Sequence, residues 1–480
     1  MTDKRIEKDA VIIGGGISGL ATAARLRRKG LNVLLLEKKQ QPGGAIQTEQ
    51  LDGFLVDCGP NSTLETSPEV REFVDEIGLS ERRVYADLRA NRRYILRDGE
   101  LRALPMSPPQ FLACNLFSVR AKLRLLLEPF IAPAPDDLEE TIAQFVERRL
   151  GREFLDYAIN PFIAGVYAGD PERLSVRSAV ARIYALEKNY GSLIKGAIKG
   201  AKARKKRKEV DKTRARLFSF RDGMGELVGA LKTVLAAEIR TSADIVKVEL
   251  SPHPHAPHSV HFTESGARQT VSSRVLIFAS PAFATAQLLE MFDRSLSEKL
   301  REIVYAPVAM VFFGYEKTIQ CRALDGFGFL IPKVEKRRIL GTIWSSTIFP
   351  HRAPPGGVAL TTFVGGMRQP ELPELEDAQL SEIVTQELGS IMQLQGAPDV
   401  IRIKRWPRAI PQYTVGHETR LQAVAAFERT YPGVFISGNF RSGISVGDCI
   451  LHSREVAGQV SEWLKPPVAH GEQRHALAAR

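Results

Sequence analysis

Residues Ala10-Val11-Ile12-Ile13-Gly14-Gly15-Gly16-Ile17-Ser18-Gly19-Leu20 decide the fold: a short apolar run stops at three glycines, and a segment rich in small residues begins. A run of that length, bounded by a turn signal, reads as a buried strand. Leu20 to Arg28 reads as a helix with small residues on its sheet-facing side. Gly30 stops it, and Leu31 to Leu36 makes a second apolar strand ending at Glu37. Together these segments are a βαβ unit. In Gly14-x-Gly16-x-x-Gly19 the first two glycines permit a tight turn and close approach of a pyrophosphate, and the third lets helix and strand pack closely. Free amides and the helix dipole attract the anion. Glu37 is placed to accept hydrogen bonds from both ribose hydroxyls.

Nicotinamide and flavin dinucleotides share this fingerprint, so residues farther along must choose between them. Gly43-Gly44 supplies a second glycine turn, and Gly59-Pro60-Asn61-Ser62 a third loop of bare backbone. Near the other end, the strand Val434 to Ser437 enters Gly438-Asn439-Phe440-Arg441-Ser442-Gly443-Ile444-Ser445-Val446-Gly447, before a helix beginning near Asp448. Glycine-permitted backbone ahead of a helix can place amides beside an isoalloxazine ring. The larger, more embedded ligand is favoured: the expected cofactor is FAD.

Working outward, Ser67-Pro68 opens a helix through Ile77, by serine capping and proline at the first helical position. From Leu104 to Pro135, prolines alternate with apolar stretches and the basic amphipathic segment Arg120 to Phe130, and helical patterns follow to about Lys199. That region reads either as a packed helical domain or as a surface that lies on a bilayer. Leu227 to Ala237 is a helix, and strands at Ile245 to Leu250 and Arg274 to Ala279 flank the polar segment Ser251 to Pro257. Val308 to Tyr315, Ile339 to Trp344 and Val358 to Val364 alternate as a sheet that could wall a cavity. The fold class expected is α/β: a Rossmann-like FAD-binding domain, a β-sheet substrate domain, and a helical domain able to associate with a membrane. Its FAD-binding segments fall at 8–85, 213–290 and 426–465, the helical domain at 86–212, the substrate domain at 291–425 and a disordered tail at 466–480.

Of the net charge of +11, nine units sit between Lys195 and Arg216, where eleven Lys or Arg meet only Glu209 and Asp211. Such a run is a solvated face or contacts an anionic surface. It contains no aromatic stacking residues, which argues against nucleic acid. The four cysteines, Cys58, Cys114, Cys321 and Cys449, form no metal-ligand spacing and fit a reduced protein. The charged N-terminus does not read as a secretory signal, and no apolar stretch reaches the ~18 residues of a membrane span. A cytoplasmic location follows, with any contact at the inner face of the cell membrane being peripheral. A homodimer is neither required nor excluded.

Four further motifs, Gly165-Val166-Tyr167-Ala168-Gly169-Asp170-Pro171, Gly341-Thr342-Ile343-Trp344-Ser345-Ser346, Thr361-Thr362-Phe363-Val364-Gly365-Gly366 and Ile410-Pro411-Gln412-Tyr413, stand in order along the chain. With the glycine turns they resemble the protoporphyrinogen oxidase family, within the FAD-dependent amine oxidase and phytoene desaturase superfamily. Ala45 stands where amine oxidases carry arginine, and no cysteine lies near Arg441, which implies FAD held without a covalent bond. The resemblance implies oxidation of a porphyrinogen to a porphyrin in haem biosynthesis, with molecular oxygen reoxidising the flavin to give hydrogen peroxide. FAD contacts are implied at Gly14, Gly15, Gly16, Ile17, Ser18, Gly19, Glu37, Gly44, Ala45, Gly59, Pro60, Asn61, Ser62, Val246, Trp406, Gly443, Ile444, Ser445 and Val446. The substrate wall is implied at Gly165, Leu330, Ile343 and Phe363, with Arg93 directed toward a propionate. No metal and no protein base are assigned. His417 reads as a structural histidine, and water or a substrate nitrogen takes the proton. Coproporphyrinogen as the preferred substrate, and a non-catalytic FAD-bound interaction module, remain as alternatives.

Overall fold

The computed structural model describes residues 5–135, 137–207, 215–254 and 256–465. The expected tail at 466–480 and part of the basic run, 208–214, lie outside the described residues. The nucleotide unit forms as read, with β1 (Arg5–Ile13), α1 (Ile17–Arg28) and β2 (Val33–Leu36). Next come β3 (Arg93–Arg97), β4 (Glu100–Ala103), α2 (Asn160–Tyr167), α3 (Leu193–Arg207), β5 (Ala243–Glu249), β6 (His258–Glu264) and β7 (Ala267–Phe278). The remainder is built on β8 (Tyr305–Tyr315), β9 (Gly328–Leu330), β10 (Gly341–Ile343), β11 (Val358–Gly365), α4 (Asp377–Met392), β12 (Val400–Pro411), β13 (Val434–Ile436) and α5 (Val446–Trp463).

The first seven-stranded sheet runs from the short strand Ile239–Arg240 through β2, β1, β7 and β6 to β5, with β13 added on β7. β7 is long enough to serve two neighbours on the side away from β1, β6 along Ala267 to Ser273 and β13 along Leu276 to Phe278. Successive side chains of a strand point to opposite faces. Ala10, Ile12, Val33 and Leu35 accordingly pack toward α1 and α5, while Val11, Ile13, Leu34 and Leu36 pack toward helices 282–289 and 417–430. Both faces are covered, which explains why these strands read as unbroken apolar runs.

The second seven-stranded sheet has the order β12, β8, β11, β10, β9, β3, β4. Here residues 93–103, expected within the helical domain, form a hairpin at one edge of the sheet. Its turn is Asp98-Gly99, with φ of +54° and +77°. Asp-Gly with two positive φ values is a strong hairpin signal, and the helical reading of 86–212 passed over it. At the other edge, β12 tolerates Pro407 and Pro411 because an edge strand has one unpaired side. One face is sealed by α4, whose Leu380, Val384 and Leu388 pack on Val311, Phe313, Phe329 and Leu360.

The helical region between β4 and α3 holds a buried ion cluster. Arg149 and Glu128 are both fully buried with Nη1 to Oε1 at 3.2 Å, and Arg149 also pairs with Glu187. Glu128 accepts from the Ser192 hydroxyl at 2.5 Å and from the amides of Leu193 (2.8 Å) and Ile194 (3.2 Å), so it caps the start of α3. No helix among the described residues is long and apolar enough to cross a membrane.

Candidate active site

The glycine turn between β1 and α1 has the shape its spacing requires. Gly14 has φ +113°, and a Cβ there would lie 2.8 Å from the Ala279 carbonyl carbon; one on Gly19 would lie 2.0 Å from the Gly14 oxygen. Gly16 differs, with nothing within 4 Å of a Cβ position. That open space lies at the N-terminus of α1, which has no acid in its first turn and Arg25, Arg27 and Arg28 in its last. The charges at the two ends therefore leave the positive pole free for an anion. Ile17 and Ser18 continue the turn into the helix. The Gly15 amide donates to Glu37 Oε2 (2.7 Å) and the Lys39 amide to Oε1 (2.8 Å), which fixes the carboxylate beside the turn.

The other glycine loops converge on this point. The Gly43 amide donates to the Gly15 carbonyl (2.7 Å), and Gly44, with φ +62°, brings its Cβ position within 3.3 Å of Gly16 Cα. A Cβ on Gly59 would lie 1.9 Å from the Ala45 oxygen, so the loop carrying Pro60, Asn61 and Ser62 lies against the second turn. Trp406 Nε1 donates to the Cys58 carbonyl at 2.8 Å and ties the edge strand β12 to the same loop. The Ala243 amide bonds the Glu37 carbonyl, and Val246 on the strand that follows is an exposed apolar residue (59%). From the far end of the chain, Ser445 caps α5 by accepting from the Asp448 amide (3.0 Å), directly after Gly443 (φ +123°) and Ile444. α5 begins at Val446, two residues earlier than expected, and packs along α1, where Arg25 Nε reaches Ser453 Oγ at 3.1 Å. Burial pushes the Cys449 thiol up to about 11, against a smaller lowering by the Ser18 side chain, and the thiol lies 3.8 Å from the Gly443 carbonyl. Two helix N-termini more than 400 residues apart in sequence thus flank one space, with geometry that fits a dinucleotide.

The face of the second sheet away from α4 carries the residues expected of the substrate wall. Register pairs Arg93 with Gly328, Gly328 with Ile343 and Ile343 with Thr361; one step along, Leu330 pairs with Gly341 and Gly341 with Phe363. By the two-residue alternation, Arg93, Leu330, Ile343 and Phe363 share the face that α4 does not cover. Gly165, on α2, closes over this face: a Cβ on it would lie 2.6 Å from Leu330 Cδ2. Arg92 and Arg93 diverge. Arg92 pairs with Asp325 at 2.6 Å, whereas Arg93 has no carboxylate partner among the described residues. Its guanidinium lies 5.6 Å from the Phe327 ring centre; the residue is exposed, and partial desolvation alone pushes its pKa down.

A small cleft beside the second sheet was not anticipated. Asn61 shares it with Ser345, Thr361, Asp57 and Arg352. Ser345 and Thr361 hydroxyls are 2.8 Å apart, and Arg352 pairs with Asp57 at 2.7 Å, both nearly fully buried. Ser345 and Thr361 lie two positions from Ile343 and Phe363, so strand parity was the signal that could have found them. A separate groove of about 560 Å³ at Ser381, Thr385, Ile401 and Ile403 lies on the α4 side and holds none of the expected residues. His417 is buried, with Nε2 2.9 Å from the Phe440 carbonyl. Burial lowers its pKa to about 4, so its proton affinity is low, and with Nε2 held by the Phe440 carbonyl it does not suit a base facing substrate.

Residues 17–461 match the family described as flavin containing amine oxidoreductase. A mitochondrial protoporphyrinogen oxidase of Nicotiana tabacum is 32% identical over 505 residues, covering 98% of this chain and 97% of that protein. A coproporphyrinogen III oxidase of Bacillus subtilis (strain 168) is 28% identical, covering 95% and 99%. In structure, a candidate protoporphyrinogen oxidase from Exiguobacterium sp. 255-15 superposes with a TM-score of 0.78 at 24% identity, covering 96% of this chain and 99% of that one.

Proposed function

This chain belongs to the flavin-containing amine oxidoreductase family, and as an FAD-dependent oxidase of that family we propose that it converts protoporphyrinogen IX to the porphyrin. Bound FAD would supply the hydride acceptor, with dioxygen as the terminal oxidant and hydrogen peroxide as its product. The N-terminus of α1 receives the pyrophosphate, Glu37 the ribose, and the Gly44-Ala45, Gly59–Ser62 and Gly443–Val446 backbones the rest, with Val246 and Trp406 as further contacts. Leu330, Ile343 and Phe363 form the apolar wall for a broad macrocycle, and Gly165 lets α2 pack closely on Leu330. Holding the methylene bridge in one orientation and excluding water is the protein's share of the rate.

The single observation behind this choice is Arg93, a cation at an apolar face without a carboxylate partner among the described residues. It suits propionates gathered at one edge of the ring. The Bacillus relative favours coproporphyrinogen III as the second reading, and four propionates spread around the ring would call for more unpaired cations. Turnover with both porphyrinogens, followed by porphyrin fluorescence and peroxide, decides between them. Faster oxidation of protoporphyrinogen supports the proposal. Preference for coproporphyrinogen, or no turnover by flavin-loaded protein, overturns it.

Peripheral contact with an anionic bilayer is part of the same reading. Exposed Leu112, Val119, Leu123, Leu126 and Phe130 crowd the helical region, with Ile198 exposed on α3 beside Lys195 and Lys199. Apolar side chains that enter the acyl boundary while lysines meet headgroups support this orientation.

A further inference from the structure

Tyr413 belongs to a motif for which the proposed reaction has no assigned use, yet its phenol sits at a joint. It is buried, donates to the Asn439 carbonyl and accepts from the Gly443 amide at 3.0 Å, so one oxygen spans the two ends of the turn 438–443. His417 lies flat beneath it, with ring centres 4.4 Å apart and planes 13° from parallel. Since a carbonyl only accepts, the His417 contact with Phe440 places the proton on Nε2. Three hydrogen bonds from two stacked rings therefore hold Asn439, Phe440 and Gly443. On the other side of the turn, Arg441 pairs with Glu428. Tyr413 is also fastened from behind: its carbonyl accepts from Ser175, and its ring meets the edge of Tyr167 at 5.9 Å.

Gly443 starts the stretch whose amides lead into α5, the helix end read above as facing the isoalloxazine ring. Amides and a positive helix pole at that position stabilise the reduced, more anionic form of a flavin over the oxidised form. Their aim depends on the shape of 438–443. We propose that Tyr413, seated on His417, is a positioning residue that fixes this turn and thereby raises the reduction potential of the flavin. The inference rests on the FAD reading of the site and adds to it a residue that acts through the turn.

Midpoint potentials of the FAD-loaded wild type and Tyr413→Phe, measured by equilibration with redox dyes, test the inference. Tyr413→Phe removes both hydrogen bonds and keeps the ring. Its potential is expected to fall by about 30 mV, the equivalent of a tenfold loss in preference for reduced over oxidised flavin in a two-electron couple. If Tyr413→Phe does not retain FAD, His417→Gln serves instead. It preserves an N–H for the Phe440 carbonyl but removes the flat ring under the phenol, and the same direction of shift is required. An unchanged potential, whatever happens to thermal stability, overturns the inference. A wild-type protein that shows no flavin absorbance after reconstitution overturns the FAD reading itself, so the two failures are distinguishable.

Discussion

The two seven-stranded sheets have equal strand number and opposite economies. The first is covered on both faces, and the glycine loops proposed to hold FAD lie at its strand ends. The second is covered on one face by α4 and in part on the other by Phe54 and Val56, and the residues proposed for substrate, Arg93, Leu330, Ile343 and Phe363, sit within its strands. A site made of turns depends on what the backbone can adopt. A site made of a sheet face depends on what side chains can be exchanged. The first should therefore be brittle and the second adjustable.

Gly19→Val is the sharpest way to break this contrast. Its Cβ would lie 2.0 Å from a backbone oxygen, so overpacking should cost about 3 kcal/mol or more, with FAD content lost and read as absorbance of the purified protein. Full FAD content would show that the turn is not brittle. Between the sheets, His417 should give stability a pH dependence. Its folded pKa of about 4 lies below the ordinary 6.5, so the unfolded chain binds the proton more readily. Stability is present above pH 6.5 and falls as pH drops toward 4, by about 3 kcal/mol for this one group. Thermal melts of the wild type should fall more steeply over that window than those of His417→Gln, and parallel curves would refute it.

On the adjustable side, Arg93→Ala should raise KM for the porphyrinogen by an amount equivalent to about 1.5–3 kcal/mol while FAD content stays unchanged. An unchanged KM removes Arg93 from the propionate. Trp406→Phe, which loses one bond to the Cys58 carbonyl, should weaken FAD binding by about 1 kcal/mol in a fluorescence titration. The smallest effect concerns neither sheet. Binding to anionic vesicles should weaken with salt, since exposed charges are screened over about 8 Å at physiological ionic strength. Salt-independent binding would assign the contact to the apolar residues alone.

The contrast also governs how much could be read in advance. The βαβ unit, the glycine turns and most strands of the covered sheet were legible because burial on both faces leaves apolar runs. β6 was missed even though His258, Val260 and Phe262 alternate with Ser259, His261 and Thr263, because the preceding prolines and histidines suggested a loop. In the second sheet, β3 and β4 were absorbed into the helical region although Asp98-Gly99 marked the turn. β12 was disguised by prolines that only an edge permits. Individual site residues on its open face were legible by family resemblance alone, for an isoleucine or phenylalanine in a strand is equally at home in a core. The Asp57–Arg352 pair and the Ser345–Thr361 contact join residues far apart in the chain, and no local pattern announces them.

Glu128 caps the first amides of α3 from inside a cluster in which Arg149, the counter-ion of both Glu128 and Glu187, comes from the same helical region. Exposed Ile198 and Lys199, a turn beyond that anchor, are surface positions whose exchange leaves the buried cluster untouched.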